Sequence, residues 1–363
     1  MRPARLGSGV ITPRDIRLRE KRSTQEETFG AALGCKSRDQ LLAKQGAMEV
    51  QDKTRAIAAQ LDDPSRSGEA LMALLALGKD SVPALVEFVR STKPSSLPEG
   101  RLLAVEGLSI LKGPAALAAL IVVATQRLAN ICDPAVRLGE ETVASRAASA
   151  LADFPDPHAR EALLELLDEK PLIGVAEAFE KLGDPRAIPR LVSWLGEDFV
   201  AEAAGRAIVV CGCAAVPALL DSLRAKDEWY GSESGMSQRR RARALEILCE
   251  LPVPGRYDGL EDLLEDSAEG VRFNATRLFL RNGNLAQRRR AFRVGLEFLD
   301  SPDNTLRANC EELLISHFEV GTELVLEEIG RRRVRGESEG FWPRETALTI
   351  LLRIYRKGNA AAR

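Results

Sequence analysis

The residues best equipped for chemistry are few and scattered. Of the six cysteines only Cys211 and Cys213 are close, as Cys-Gly-Cys; Cys35, Cys132, Cys249 and Cys310 stand apart. A structural zinc site needs Cys and His ligands in close clusters, and no His lies near this pair. His158 and His317 are far apart in sequence and belong to no His-Glu-x-x-His arrangement. The chain has no Gly-x-Ser-x-Gly elbow, phosphate-binding loop, dinucleotide fingerprint or kinase set. The sequence therefore assigns no catalytic residue, no metal ligand and no cofactor. Cys211-Gly212-Cys213 reads as small apolar residues at a helix end.

Binding chemistry has more candidates. Arginine is concentrated in three runs: Arg239-Arg240-Arg241 with Arg243, Arg288-Arg289-Arg290 with Arg293, and Arg331-Arg332-Arg333 with Arg335. Clustered guanidinium groups could track phosphates. However, the runs fall at different points of the helical pattern described below, and Glu233, Asp300, Glu327, Glu328, Glu337 and Glu339 sit beside them. Arg239, Arg240, Arg241, Arg331, Arg332 and Arg333 form the candidate basic patch, read mainly as solvated helix faces. Aromatic side chains are scarce, only 5% of the chain. Even so, Trp229-Tyr230 and Phe341-Trp342 are adjacent pairs in polar, turn-rich stretches. Large aromatic groups in such places anchor protein interfaces.

The positioning elements are helices. Apolar residues make up 45% of the chain, carried mostly by Ala and Leu, both good helix formers. β-Branched alternation is rare, so a sheet-rich fold is excluded. At 363 residues the chain is too long for one ordinary core, which calls for two domains or an elongated array. No run approaches the 18 or more apolar residues of a membrane span; ALAALIVVA at 116–124 is too short. The formal net charge of −2 hides a gradient. Residues 1–47 hold 10 Lys and Arg against 5 Asp and Glu, residues 48–237 hold 19 against 28, and residues 238–363 hold 22 against 20. The middle of the chain is acidic. Residues 1–47 lack apolar periodicity and a secretory apolar region, so they read as a basic, disordered extension. A cytoplasmic location is expected.

Residues 181–195, KLGDPRAIPRLVSWL, reveal the plan. An apolar stretch ends at Leu182, breaks across Gly183-Asp184-Pro185 and resumes at Ile188. Gly suits the left-handed position past a helix end, and Pro suits the first turn of the next helix. Ile188, Leu191 and Leu195 then share one face. Echoes begin at Leu77, Leu111, Phe154 and Cys211, with weaker ones near Leu251, Asn282 and His317, a loose period of roughly 30 residues. Each unit reads as two helices that cannot bury both apolar faces alone, so units must stack.

The stretch 182–195 resembles the HEAT repeat, and more closely the short HEAT-like repeat of phycobilisome bilin lyases. The pattern Asp-x4-Val-Arg-x2-Ala of that repeat's second helix is matched at 266–275, and with one extra residue at 300–309. The resemblance spans residues 48–357. It implies an all-α, right-handed solenoid (a superhelix) of eight to nine helix pairs, with residues 358–363 as a disordered tail. It also implies a ladder in which Asp266 and Asp300 bond across neighbouring units to Arg272 and Arg307. Longer turns at 92–100, 130–141, 226–238 and 334–345 each join the first helix of a unit to its second and should share one edge, a binding rim. The expected work is non-enzymatic binding of another protein, through Trp229, Tyr230, Phe341 and Trp342. A subunit of a bilin lyase-like modifying assembly is the alternative, nucleic-acid binding a weaker one; no membrane or small-molecule partner is expected.

Overall fold

The computed structural model describes residues 48–91, 93–95, 97–251, 257, 259–340 and 346–361. The expected extension at 1–47, and with it Cys35, lies outside them, as do Phe341 and Trp342. The α-helices are α1 (48–58), α2 (Ser67–Leu77), α3 (Val82–Ser91), α4 (Glu99–Leu111), α5 (Pro114–Ala124), α6 (Pro134–Leu151), α7 (Pro157–Glu169), α8 (Ile173–Leu182) and α9 (Ile188–Trp194). They continue as α10 (Ala201–Cys211), α11 (Val216–Arg224), α12 (Gly235–Glu250), α13 (Glu269–Asn282), α14 (Leu285–Glu297), α15 (Asn304–Ser316), α16 (Phe318–Val334) and α17 (Ala347–Ala361). Among the described residues the only strands are β1 (Glu228–Trp229) and β2 (Ser232–Glu233).

The chain divides into two compact units. In the first, described over 48–91, 93 and 99–116, α2 and α3 pack on α4. Leu74, Leu85, Ala104 and Leu108 are fully buried there. The second contains residues 94–98 and everything from Leu117 on. In it two rows of helices run side by side. The first-helix row packs α7 on α9 and α9 on α11, then α14 on α16. The second-helix row packs α6 on α8, α8 on α10, α10 on α12, α12 on α13, and α15 on α17. Between α12 and α13 the described chain holds only the short 3-10 turn Glu261–Glu265 where a first helix would stand. α12 and α13 pack against each other.

Local chemistry explains the punctuation. Gly183 takes a left-handed backbone (φ 58°) and donates its N–H to Phe179 O, closing α8. The Asp184 carboxylate accepts from Arg186 N, and Pro189 occupies the first turn of α9. Ile188, Leu191 and Leu195 all point inward, as their spacing predicts. Burying such a side chain is worth about 1.5–3 kcal/mol. Carbonyls left open at helix ends are taken by arginines of later helices. Arg190 donates to Leu167 O at 3.0 Å and Asp168 O at 2.9 Å, and Arg243 donates to Leu195 O at 2.8 Å.

Three expectations are corrected. Residues 130–141 are not one long turn. Asp133 caps α6 by accepting from Ala135 N and Val136 N, and Pro134 starts the helix there. The tail at 358–363 is helical as far as Ala361, because α17 continues across α15 and α16 with Tyr355 edge-on to Phe318. Finally, Ala201–Arg224 does have the length and composition of a membrane span. Gly212 (φ 59°) splits it into two separate helices, α10 and α11, both packed on α9 and α12. Eleven residues of α10 reach only about 16 Å, against about 30 Å of hydrocarbon.

The close approach of α6 and α8 depends on Gly174. Its N–H donates to Ser145 Oγ at 2.7 Å, and a Cβ at this position would collide with the Ser145 carbonyl. Gly174→Ala should therefore destabilise the protein by roughly 1–3 kcal/mol through overpacking, despite alanine's higher helix propensity. Urea unfolding checks this, and an unchanged midpoint would contradict it.

A candidate partner-binding surface

Between α11 and α12 the chain forms a tight hairpin. Glu228 pairs with Glu233 and Trp229 with Ser232, leaving Tyr230 and Gly231 as the two loop residues. Both have positive φ, 53° and 78°, the backbone of a type I′ turn. Asn-Gly is the common choice for such a turn; a tyrosine at the first position costs about 1–2 kcal/mol. Trp229 is 68% exposed and Tyr230 96% exposed. Their rings stack on each other, centroids 5.9 Å apart and 18° from parallel.

A two-stranded ribbon is marginal alone in water. This one is tied down from inside by Arg241, whose side chain is fully buried. Arg241 Nη1 donates to Glu233 Oε2 at 2.8 Å, Nη2 to Asp266 Oδ2 at 2.5 Å, and Nε to Leu223 O at 3.0 Å. The other oxygen of Glu233 accepts from Ser237 Oγ at 2.7 Å in the first turn of α12. Lys226 Nζ adds a bond to Asp266 at 3.2 Å, and Arg240 bonds Asp227 Oδ2 at 2.5 Å. Burial pushes the Asp266 pKa upward, but the Arg241 bond, the Ala268 N–H and Lys226 outweigh it and hold the carboxyl below its ordinary value.

The arrangement recurs once. Arg332 on α16 is buried and bonds Asp300 Oδ2 at 2.5 Å, Glu328 Oε1 at 2.9 Å and Glu337 Oε2 at 3.0 Å. Glu337 precedes Phe341 and Trp342 in the sequence, and its other oxygen accepts from Leu348 N at the start of α17. In both places an interior arginine joins a glutamate of the connection between a first and a second helix to an aspartate of a neighbouring unit.

On the second-helix row, α8, α10 and α12 border a groove of about 580 Å³. Its floor includes Ala201, Gly205, Val209, Val210 and Ile247. Its rim carries Glu180, Asp198, Glu202, Glu246 and Glu250, against two arginines. Both arginines are engaged: Arg206 with Glu180 at 3.0 Å and Glu202 at 3.1 Å, Arg243 with Asp198 at 3.4 Å. Of these residues sequence reading singled out only Arg243, as part of an arginine run. The acidic bias of 48–237, and the spacing of Arg243, Glu246, Ile247 and Glu250 along one helix face, were the available signals.

Residues 143–169 match the family model of the PBS lyase HEAT-like repeat. The chain carries a HEAT-like repeat. The match covers the buried end of α6, the break at Asp156-Pro157 and all of α7. No curated protein matches the chain significantly.

Within the HEAT-like framework the expected ladder is half right. Its acids do bond across units, but to other arginines. Asp266 takes Arg241 and Asp300 takes Arg332. Arg272 donates to the carbonyls of Asp266 and Ser267 in its own unit and lies over the Phe298 ring; Arg307 bonds Asn304 one turn away. The basic patch is accordingly corrected. Arg241 and Arg332 are interior and cannot meet a phosphate. Arg239 pairs with Asp198 at 3.2 Å, Arg240 with Asp227, and Arg331 with Glu328 at 2.9 Å. Arg333 is exposed. Cys211 and Cys213 flank the break at Gly212 as free thiols, Cys213 exposed.

Removing Arg241 leaves two buried carboxylates without their cation. Arg241→Met should cost roughly 3–5 kcal/mol in urea unfolding. Because the Asp266 pKa is depressed, its contribution is complete above the unfolded value of about 3.9 and is lost as pH falls through the folded value. Asp266→Asn should therefore destabilise the protein at pH 7 and flatten the loss of stability below about pH 4. An equal acid response in variant and wild type would contradict this assignment.

Proposed function

We propose that this HEAT-like repeat protein is a non-enzymatic scaffold that holds a protein partner, with the Trp229-Tyr230 hairpin as an anchor. The observation that carries the reading is a stacked aromatic pair left in solvent on a strained turn that a buried ion network holds in place. Exposing two large rings and keeping tyrosine left-handed both work against stability. Strain retained in this way is a mark of function, and rigid aromatic side chains are common interface anchors. Phe341 and Trp342, which follow the clamped Glu337 in the sequence, are the second anchor in this reading. A right-handed course of eight to nine helix pairs also belongs to it.

Two observations favour a protein over nucleic acid. Two of the six arginines of the basic patch are interior, and the groove on the second-helix row is rimmed by acids. The bilin lyase-like alternative is supported by the family match alone. Incubation with a bilin and an apo-acceptor protein, followed by visible absorbance, tests it.

The scaffold reading makes stability and binding separable. Tyr230→Asn relieves the left-handed strain, so its melting temperature should equal or exceed that of wild type. Trp229→Ala/Tyr230→Ala should melt like wild type but lose partner proteins in affinity purification read by quantitative mass spectrometry. Equal recovery by the double variant and wild type would remove the hairpin from the interface.

A further inference from the structure

We infer that the groove between α10 and α12 is a second docking surface, and that it takes a short basic segment of a partner protein carrying aliphatic side chains. This extends the scaffold reading to a different face, and it stands on three independent features.

The first is the field. Glu246 and Glu250 occupy the last turn of α12, where the helix dipole is already negative. An acid there is placed against its own helix. Among the described residues Glu250 has no ion-pair partner, and Glu202 lines the same groove from α10. Glu246 is already paired with Arg277 at 3.4 Å, so a Lys or Arg side chain entering this end meets the Glu250 carboxylate and the helix terminus together. The second is the floor. Val210 is 54% exposed on a helix whose inner face is buried, and Val209 and Ile247 continue the apolar strip. A ligand that is merely cationic would leave this strip wet.

The third is Gly205. It stands in the middle of α10, where glycine is a poor helix former. Unlike Gly174, it is not required by packing: a Cβ there would meet only Ile247 Cδ1, at an ordinary 3.7 Å. The missing side chain leaves depth in the groove floor. The lining of α12 from Arg243 to Glu250 runs about 11 Å by helical rise, two turns of a docked helix or three to four residues of extended chain. The fitting occupant is therefore an Arg/Leu-type segment, with aliphatic groups on the floor and cations at the Glu246–Glu250 end.

Fluorescence anisotropy with the full-length protein tests this. The probe is a fluorescein-labelled peptide, RLLRRLLR, compared with ELLEELLE and RSSRRSSR. The Arg/Leu peptide should bind, weaken at least tenfold between 50 and 500 mM salt, and exceed the Arg/Ser peptide at least tenfold; the Glu/Leu peptide should not bind. Glu202→Lys/Glu250→Lys, two surface changes, should weaken binding at least tenfold. Gly205→Met should do the same by filling the floor, while Gly205→Ala has little effect. Trp229→Ala/Tyr230→Ala should bind the peptide like wild type, so the groove can succeed where the hairpin fails, and the reverse. No binding by wild type, undiminished binding by the charge-reversed variant, or equal binding of the Glu/Leu peptide would overturn the assignment.

Discussion

A guanidinium group buried away from water must be fully paired, or its desolvation dominates everything around it. Arg241 meets this demand with three segments distant in sequence: the end of α11 through Leu223 O, the hairpin through Glu233, and the next unit through Asp266. The constraint runs in both directions. The two carboxylates are buried only because the cation is there, and the hairpin has a fixed pose only because Glu233 is one of them. Arg332, Asp300 and Glu337 repeat the solution near the C-terminal end. The exposed hairpin is thus positioned by charges that solvent hardly reaches.

Around these clamps the second unit divides its work between surfaces. The first-helix row supplies apolar packing, with arginines of later helices closing the carbonyl ends of earlier ones. The second-helix row is linked by ion pairs between successive helices, Arg206 to Glu180 and Arg277 to Glu246. Those pairs are partly exposed and contribute modestly to stability. Their main consequence is local charge: the cations are engaged, and the remaining carboxylates set the potential of the groove.

Much of the architecture was legible in the sequence, because punctuation is local. Gly183-Asp184-Pro185 and Asp133-Pro134 act through backbone preferences within a few residues of themselves. The site was less legible, for a geometric reason. Successive residues on a helix point about 100° apart, so three adjacent arginines fan out over most of its circumference. Arg239 reaches Asp198, Arg240 reaches Asp227, and Arg241 turns into the core. A run that reads as one patch is three separate contacts. The same holds for Arg331, Arg332 and Arg333, of which only the middle one is buried. The ladder was misassigned likewise: the acids were marked by position, but their partners come from other helices at unrelated sequence distances. The tight hairpin that exposes Trp229 was not legible either, since Tyr-Gly lacks the Asn-Gly signature of such a turn.

The central claim is that Arg241, acting through Glu233, fixes the aromatic hairpin to the helix rows. Hydrogen exchange of backbone amides in Glu233→Gln against wild type addresses it most directly. The substitution keeps the size of the side chain and removes the charge that Arg241 holds. The account predicts faster exchange confined to the hairpin and the first turn of α12, with α10 and α13 as protected as before. Unchanged protection at the Ser234 amide, which donates to Asp227 O at 2.7 Å, would contradict it.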